Sequence, residues 1–339
     1  MEDWIPKDGD AFLTREGLLF YVFGYEHPPG RVFSFLKYIP SQLSHLFPLR
    51  YLERTWKMGE TELNRAKKLY TAQNLQGILE TFRRHFSSYV YFCPFRGKEI
   101  MSAPLSLIEK VFDPKSCLQK IMEEGKRDPL QSLAFELVDL LSAEAGVSLD
   151  DFGVHGSLAL GMHTAESDID LAVYGAENFR LLEATVDKLV DEGLLSYVFT
   201  RKLDRFRRHR ARYRGKTFVY TAVRKTEEIT SNYGEHRYLP IKPVTFRCRI
   251  TDDCEAMFRP AIYRVEDYQP LDPTSELQAR ELPSQVVSMM GCYRNAARQG
   301  ATIKVSGTLE RVERIETGET HYQVVVGTGT RGGEYLWPL

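Results

Sequence analysis

The sequence predicts an α+β fold in three units, on three observations. In the middle of the chain Leu130, Leu133, Leu137, Leu140 and Leu141 recur at helical spacing, and short apolar strands then alternate with a second helix, the pattern of a mixed sheet carrying helices. Before it, two runs rich in Phe, Leu, Tyr and Val flank the turn His27-Pro28-Pro29-Gly30 and precede a helical stretch. After it, residues 302–314 and 321–326 alternate apolar and polar side chains around Glu316-Thr317-Gly318-Glu319, a β-hairpin signature. The units expected are an N-terminal α+β domain (1–126), a central domain (127–250) and a C-terminal β-rich module of one helix plus a hairpin (251–339).

The elements follow in order. Residues 11–24 read as one strand and 31–39 as the strand that returns. Thr61 is the expected N-cap of a helix reaching His85, and 89–92 form a short strand stopped by Pro94. Asp128-Pro129 opens the leucine-rich helix, which ends near Gly146. A strand at 152–155, a loop or short helix, a strand at 169–174 and a helix at 177–192 come next. The basic stretch 201–216 reads as a short helix with Leu203, Phe206, Arg210 and Tyr213 as its buried stripe. Strands are expected at 217–223 and 244–250, and another within 257–263. Residues 283–299 read as a helix with Val286, Val287, Met290 and Tyr293 on one face.

The totals narrow the function. A chain of 339 residues, 43% hydrophobic and 27% charged, is long enough for more than one core and too apolar for wholesale disorder. No apolar run approaches a membrane span, and Met1-Glu2-Asp3-Trp4 lacks the pattern of a signal peptide, so the expected location is the cytoplasm. Five scattered cysteines without a C-x-x-C pair argue against a disulfide framework or a structural zinc site. A net charge of −1 means that any nucleic-acid contact must come from local clustering.

The chemistry lies in residues 155–174. Gly156-Ser157 closes a strand and opens a helical turn, where glycine permits close backbone approach and free N–H groups favour phosphate. The Ser157 hydroxyl adds a donor. Asp168 and Asp170, two apart on a strand, project from one face, and paired carboxylates suit Mg²⁺, a hard ion that shares its oxygen ligands with phosphates. Ile169, Leu171 and Val173 point the other way, into a core.

This segment resembles the signature of the DNA polymerase β-type nucleotidyltransferase superfamily: Gly-Ser, ten residues, Asp-x-Asp. It is most similar to prokaryotic minimal nucleotidyltransferase-domain proteins, keeping Ala159, Gly161, Ser167 and Leu171 but carrying Leu160 where arginine is common. The resemblance covers roughly 128–250. It implies a polymerase-β-like core and Mg²⁺- or Mn²⁺-dependent transfer of a nucleoside monophosphate from a triphosphate to an acceptor hydroxyl on RNA, DNA or protein. Asp168 and Asp170 would ligate the metal, and Gly156 and Ser157 would hold the nucleotide. The family's third carboxylate is expected on the strand at 217–223, which holds no acid; Asp252-Asp253, and Asp253 in particular, is the remaining candidate, with Glu227 and Glu228 weaker ones. Without a third acid the chain reads instead as a catalytically degenerate nucleotide- or nucleic-acid-binding protein.

Nine basic residues fall within 201–216. Arg205, Arg207, Arg208, Arg210 and Arg212 are the candidates for phosphate or nucleic-acid contact, against the plainer reading of a solvated face. His155 and His163 flank the phosphate-side loop, against the plainer reading of packed or exposed histidines, and Tyr213, Tyr220 and Tyr233 are candidates for base stacking, against the plainer reading of ordinary tyrosines in a chain that has 18.

Overall fold

The N-terminal sheet begins with a hairpin. In the computed structural model, which describes residues 4–69 and 71–339, the run 11–24 is two strands, β1 (Ala11–Thr14) and β2 (Leu19–Val22), paired antiparallel. Gly17, at φ 79°, turns the chain between them, a backbone that residues with a Cβ avoid. β3 (Arg31–Pro40) returns beside β2, as the turn at 27–30 predicts. Thr61 does not cap a helix. It starts β5 (Thr61–Asn64), which pairs with β4 (Trp56–Met58) and puts Leu63 into the core. The helix, α1 (Ala72–His85), starts later at Thr71, whose side chain accepts from the Asn74 N–H. α1 buries Ile78, Leu79 and Phe82 against Phe12 and Phe20. β6 (Val90–Cys93), β7 (Lys98–Pro104) and β8 (Ile108–Phe112) complete this sheet, and α2 (Pro114–Glu123) leads out of it.

α3 (Pro129–Ala145) is fixed at both ends: Asp128 and Gln131 form a capping box, and Gly146 takes the left-handed C-cap. After it come β9 (Phe152–Val154), α4 (Gly156–Ala159), β10 (Ile169–Tyr174), α5 (Ala176–Asp191), β11 (Ser196–Tyr197), α6 (Asp204–Arg207), β12 (Arg210–Tyr213) and β13 (Lys216–Val223). Their sheet has the order β11-β12-β13-β10-β9, with β10 and β13 parallel and the other pairs antiparallel. Leu137, Leu141, Leu182 and Val186 pack with Phe152, Leu171, Val173 and Phe218 in one core. Each such side chain contributes about 1.5–3 kcal/mol by leaving water. The basic stretch is not one helix. α6 is a single turn, and Arg210 and Tyr213 lie on a strand that alternates buried Ala211 and Tyr213 with outward Arg210 and Arg212, while Phe206 is largely exposed.

The expected strand at 244–250 joins the third sheet instead. It is part of β14 (His236–Asp252), which pairs with β15 (Ala261–Pro270) and β17 (Thr302–Arg314) and turns Val244, Phe246, Cys248 and Ile250 inward. Of the expected strand at 257–263 only the end is extended, because Met257 and Phe258 leave the sheet to fill the central core. The helix expected at 283–299 is absent. β16 (Gln285–Ser288) lies between β15 and β18 (Thr320–Val326), and only a 3-10 turn, Gly291–Tyr293, follows it. Val286 and Val287 are better placed on a pleated surface than in a helix. The hairpin β17–β18 matches its sequence signature, and β19 (Tyr335–Pro338) extends it. Since β14 also pairs with β17, the strands close as a five-stranded barrel of the OB type, with β16–β18 its one parallel pair. No helix among the described residues is long and apolar enough to cross a membrane.

Candidate active site

The site begins where β9 ends. His155 donates its backbone N–H to the Asp170 carbonyl at 2.8 Å, so the Gly-Ser turn leaves the sheet directly beside Asp170. Gly156 takes φ 62°, and a Cβ there would lie 2.2 Å from Asp170 Oδ2. Only glycine lets the backbone run against that carboxylate. α4 is a single turn, and its return is fastened by Met162 N–H to the Ser157 carbonyl at 2.8 Å. Ser167 then shapes the approach to β10, its hydroxyl accepting from Thr164 N–H at 3.0 Å.

Asp168 and Asp170 share the face opposite Ile169, Leu171 and Val173, as their spacing predicts. They differ in environment. Asp168 is open to solvent and its Oδ2 lies 3.5 Å from the Arg210 guanidinium. Asp170 is half-buried; burial pushes its carboxyl up and the neighbouring Asp168 adds to this, while Lys37, Arg210 and Arg65 oppose it. Two hard oxygen donors fit Mg²⁺ or Mn²⁺, ions that take further ligands from phosphate and water. Among the described residues no group of three or more His, Cys, Asp or Glu side chains forms a metal cluster.

The register explains what stands in place of a third acid. Val219 on β13 is the partner of Asp170, and Arg210 on β12 is the partner of Val219. Thr217 and Thr221 share the Val219 face by the strand's period of two. Asp253 does not come here: it is held by Arg180 at 2.8 Å and by Arg298 at 3.3 Å, in a cluster that includes Glu183. Asp252 accepts from Cys254 N–H. Glu228 is occupied by the backbone N–H groups of Ala176 and Lys225, and Glu227 sits in the same single 3-10 turn.

The five arginines separate. Arg210 faces Asp168, and Arg212, exposed, shares its side of β12. Arg208 pairs with Asp187 at 3.2 Å and lies over the Tyr197 ring. Arg207 turns inward and donates to the Arg294 carbonyl, and burial pushes its guanidinium down to about 10. Arg205 is exposed. Tyr213 and Tyr220 are core residues, and Tyr233 packs against Phe33 and Phe95, so none presents a free stacking face. His163 meets Asp128 at 2.6 Å. His155 is pushed down to about 3 by burial, with Arg294 and Lys37 adding to the effect, and is neutral at physiological pH.

Sequence reasoning missed the N-terminal contribution. Gly9 lies so close to His155 that a Cβ would touch its ring at 2.5 Å, and the Gly9 carbonyl is 3.2 Å from His155 Nδ1. Lys37 on β3 and Arg65, just after β5, act on Asp170. Arg54 reaches the Thr164 hydroxyl at 3.2 Å, on the loop before Asp168. The one available sequence signal was a lysine inside the apolar run 31–39.

With fold and site described, the class follows. Residues 137–229 match the family model of the nucleotidyltransferase domain, so the chain carries a domain of that family, consistent with the polymerase β-like superfamily. The chain is also similar to an uncharacterized protein of Methanocaldococcus jannaschii, 25% identical over 94% of each chain. No solved structure matches it.

Proposed function

We propose that this protein binds a nucleoside triphosphate with one divalent ion, Mg²⁺ or Mn²⁺, at Asp168 and Asp170, and transfers the nucleoside monophosphate to an acceptor hydroxyl with release of pyrophosphate. The observation that carries this is the Gly156 backbone held against the Asp170 carboxylate, with Asp168 on the same face. The ion would neutralise phosphate charge. The protein's own groups do the rest: Asp168 and Asp170 fix the ion, and the Ser157 hydroxyl with the adjoining backbone holds phosphate oxygens. The acceptor oxygen forms a bond to the α-phosphorus as the bond to pyrophosphate breaks. Exposed Arg205 and Arg212 favour a nucleic-acid acceptor over a protein hydroxyl.

A second reading has its own support. Val219 and Arg210 fill the ground beside Asp170 where an acid would accept the acceptor's proton, which favours slow transfer or nucleotide binding without transfer. The test is calorimetric titration with Mg-ATP, paired with transfer of an α-labelled nucleotide to RNA, DNA and protein. Asp168→Asn with Asp170→Asn abolishes Mg²⁺-dependent binding in this reading; equal affinity in the double variant removes it. Binding without label transfer selects the second reading.

A further inference from the structure

The N-terminal sheet brings an unusual cation to the carboxylate pair. Lys37 is half-buried on β3, its ammonium 3.8 Å from the centre of the Tyr21 ring, and among the described residues it makes no ion pair or hydrogen bond. An ammonium withdrawn from water without a carboxylate partner is costly, and proteins keep such groups where a ligand supplies the missing charge. Burial, with Arg65 and Arg259 nearby, pushes Lys37 down to about 7, while Asp170 opposes the shift. Arg65 is also half-buried, its guanidinium 6.0 Å from the centre of the Tyr38 ring, and makes no ion pair among the described residues. Lys37 lies on β3 and Arg65 just beyond the end of β5, which pairs with β3 at Ile39↔Asn64.

The charges do not balance. Among the groups that act most on Asp170, Lys37, Arg65 and Arg210 are basic and Asp168 is acidic. Positive charge thus collects at the carboxylate pair in a chain whose net charge is −1. A divalent ion on the aspartates enlarges the excess. The complement is a polyanion carrying several phosphate groups, since guanidinium and ammonium donors match phosphate oxygens.

We propose that Lys37 and Arg65 of the N-terminal sheet, together with Arg210 of the central sheet, form a phosphate-binding wall that holds the β- and γ-phosphates of the nucleotide. The proposal rests on the reading of Asp168 and Asp170 as the metal–nucleotide site, and adds a second domain to it. The wall gives the half-buried Lys37 a counter-charge.

The experiment titrates the full chain with magnesium tripolyphosphate, then with Mg-ATP and AMP. Wild type binds tripolyphosphate. Lys37→Gln and Arg65→Gln each weaken tripolyphosphate and ATP binding tenfold or more and leave AMP unchanged. Lys37→Arg restores most of the tripolyphosphate affinity. Wild-type affinity for tripolyphosphate in both Gln variants, or an equal fall for AMP and ATP, overturns the proposal. Arg65→Gln keeps the test decisive if Lys37→Gln does not fold. The outcome is separable from that of the aspartate variants. Unaltered Mg-ATP binding in Asp168→Asn/Asp170→Asn removes the metal-site reading, whereas tripolyphosphate titrated without Mg²⁺ reports on the cations alone.

Discussion

Gly156 and Gly161 form a natural control pair. Both take nearly the same backbone, φ 62° and 64°, and any residue with a Cβ is strained at either. Around Gly161 nothing lies within 4 Å of a built Cβ, whereas at Gly156 that atom meets Asp170 Oδ2. Both alanine variants should lose about 1–3 kcal/mol of stability from the backbone, measured by urea denaturation. Gly156→Ala should in addition weaken Mg-ATP binding at least tenfold, and Gly161→Ala should not. Equal nucleotide affinity in the two variants would show that the contact with Asp170 does not matter. The difference between these residues also shows what was legible at this scale. Gly156, Ser157, Asp168 and Asp170 lie within fifteen positions of one another, so spacing alone places them on one turn and one strand face. Lys37 and Arg65 act on Asp170 from more than 100 residues away. No local pattern encodes that approach, and it follows from the packing of two sheets.

At the scale of elements, pattern reading succeeded where one periodicity stood alone. The α3 leucines and the β17–β18 alternation each had strong end signals, a capping box in one case and a polar turn in the other. It failed where apolar residues fitted two periods. Val286, Val287, Met290 and Tyr293 lie at helical spacing, yet the first two belong to a strand, their partners Tyr263 and Ile262 on one side and Val324 and Val325 on the other being far away in sequence. It failed again at 201–216, where an arginine-rich run hides a two-residue alternation. That misreading matters, because β12 as a strand puts Arg210, through Val219, in register with Asp170. The register makes a direct prediction. Val219→Asp sets a third carboxylate on the face of Asp168 and Asp170, with two metal-side neighbours already in place. If the absent acid limits transfer, label transfer should rise tenfold or more in Val219→Asp and fall back when Asp168→Asn is added. Unchanged transfer with unchanged Mg-ATP affinity would place the limit elsewhere, most simply at Arg210.

For the whole molecule, the decisive contact is a single carboxylate of the N-terminal unit shared with the barrel. Asp8, buried in the N-terminal loop, accepts from Gly24 N–H at 3.1 Å and faces Arg259 at 3.3 Å and Arg294 at 3.4 Å, both from the barrel. Next to it Gly9 lies against His155, which precedes the Gly156-Ser157 turn. The loop that carries the barrel's Arg259 also sends Met257 and Phe258 into the central core. Barrel, central sheet and N-terminal sheet are therefore coupled through residues that are almost fully enclosed. Asp8→Asn keeps the shape but leaves two enclosed guanidiniums without that negative charge, a change that typically costs about 3–5 kcal/mol. The loss should be unequal across the molecule, because the barrel has its own core of Phe246, Ile250, Ile303 and Val324. Trp337 is the barrel's tryptophan, while Trp4 and Trp56 belong to the N-terminal unit. In a Trp4→Phe/Trp56→Phe background, Trp337 fluorescence follows the barrel alone, and far-ultraviolet dichroism follows the whole chain. Wild type should unfold in urea with coincident curves. Asp8→Asn should separate them, and adding Arg259→Gln should cost less in that background than in wild type, because the Asp8–Arg259 ion pair is already gone. Coincident curves in Asp8→Asn, shifted by less than about 1 kcal/mol, would mean that the apolar contacts of Met257 and Phe258, rather than the buried charges, hold the three units together.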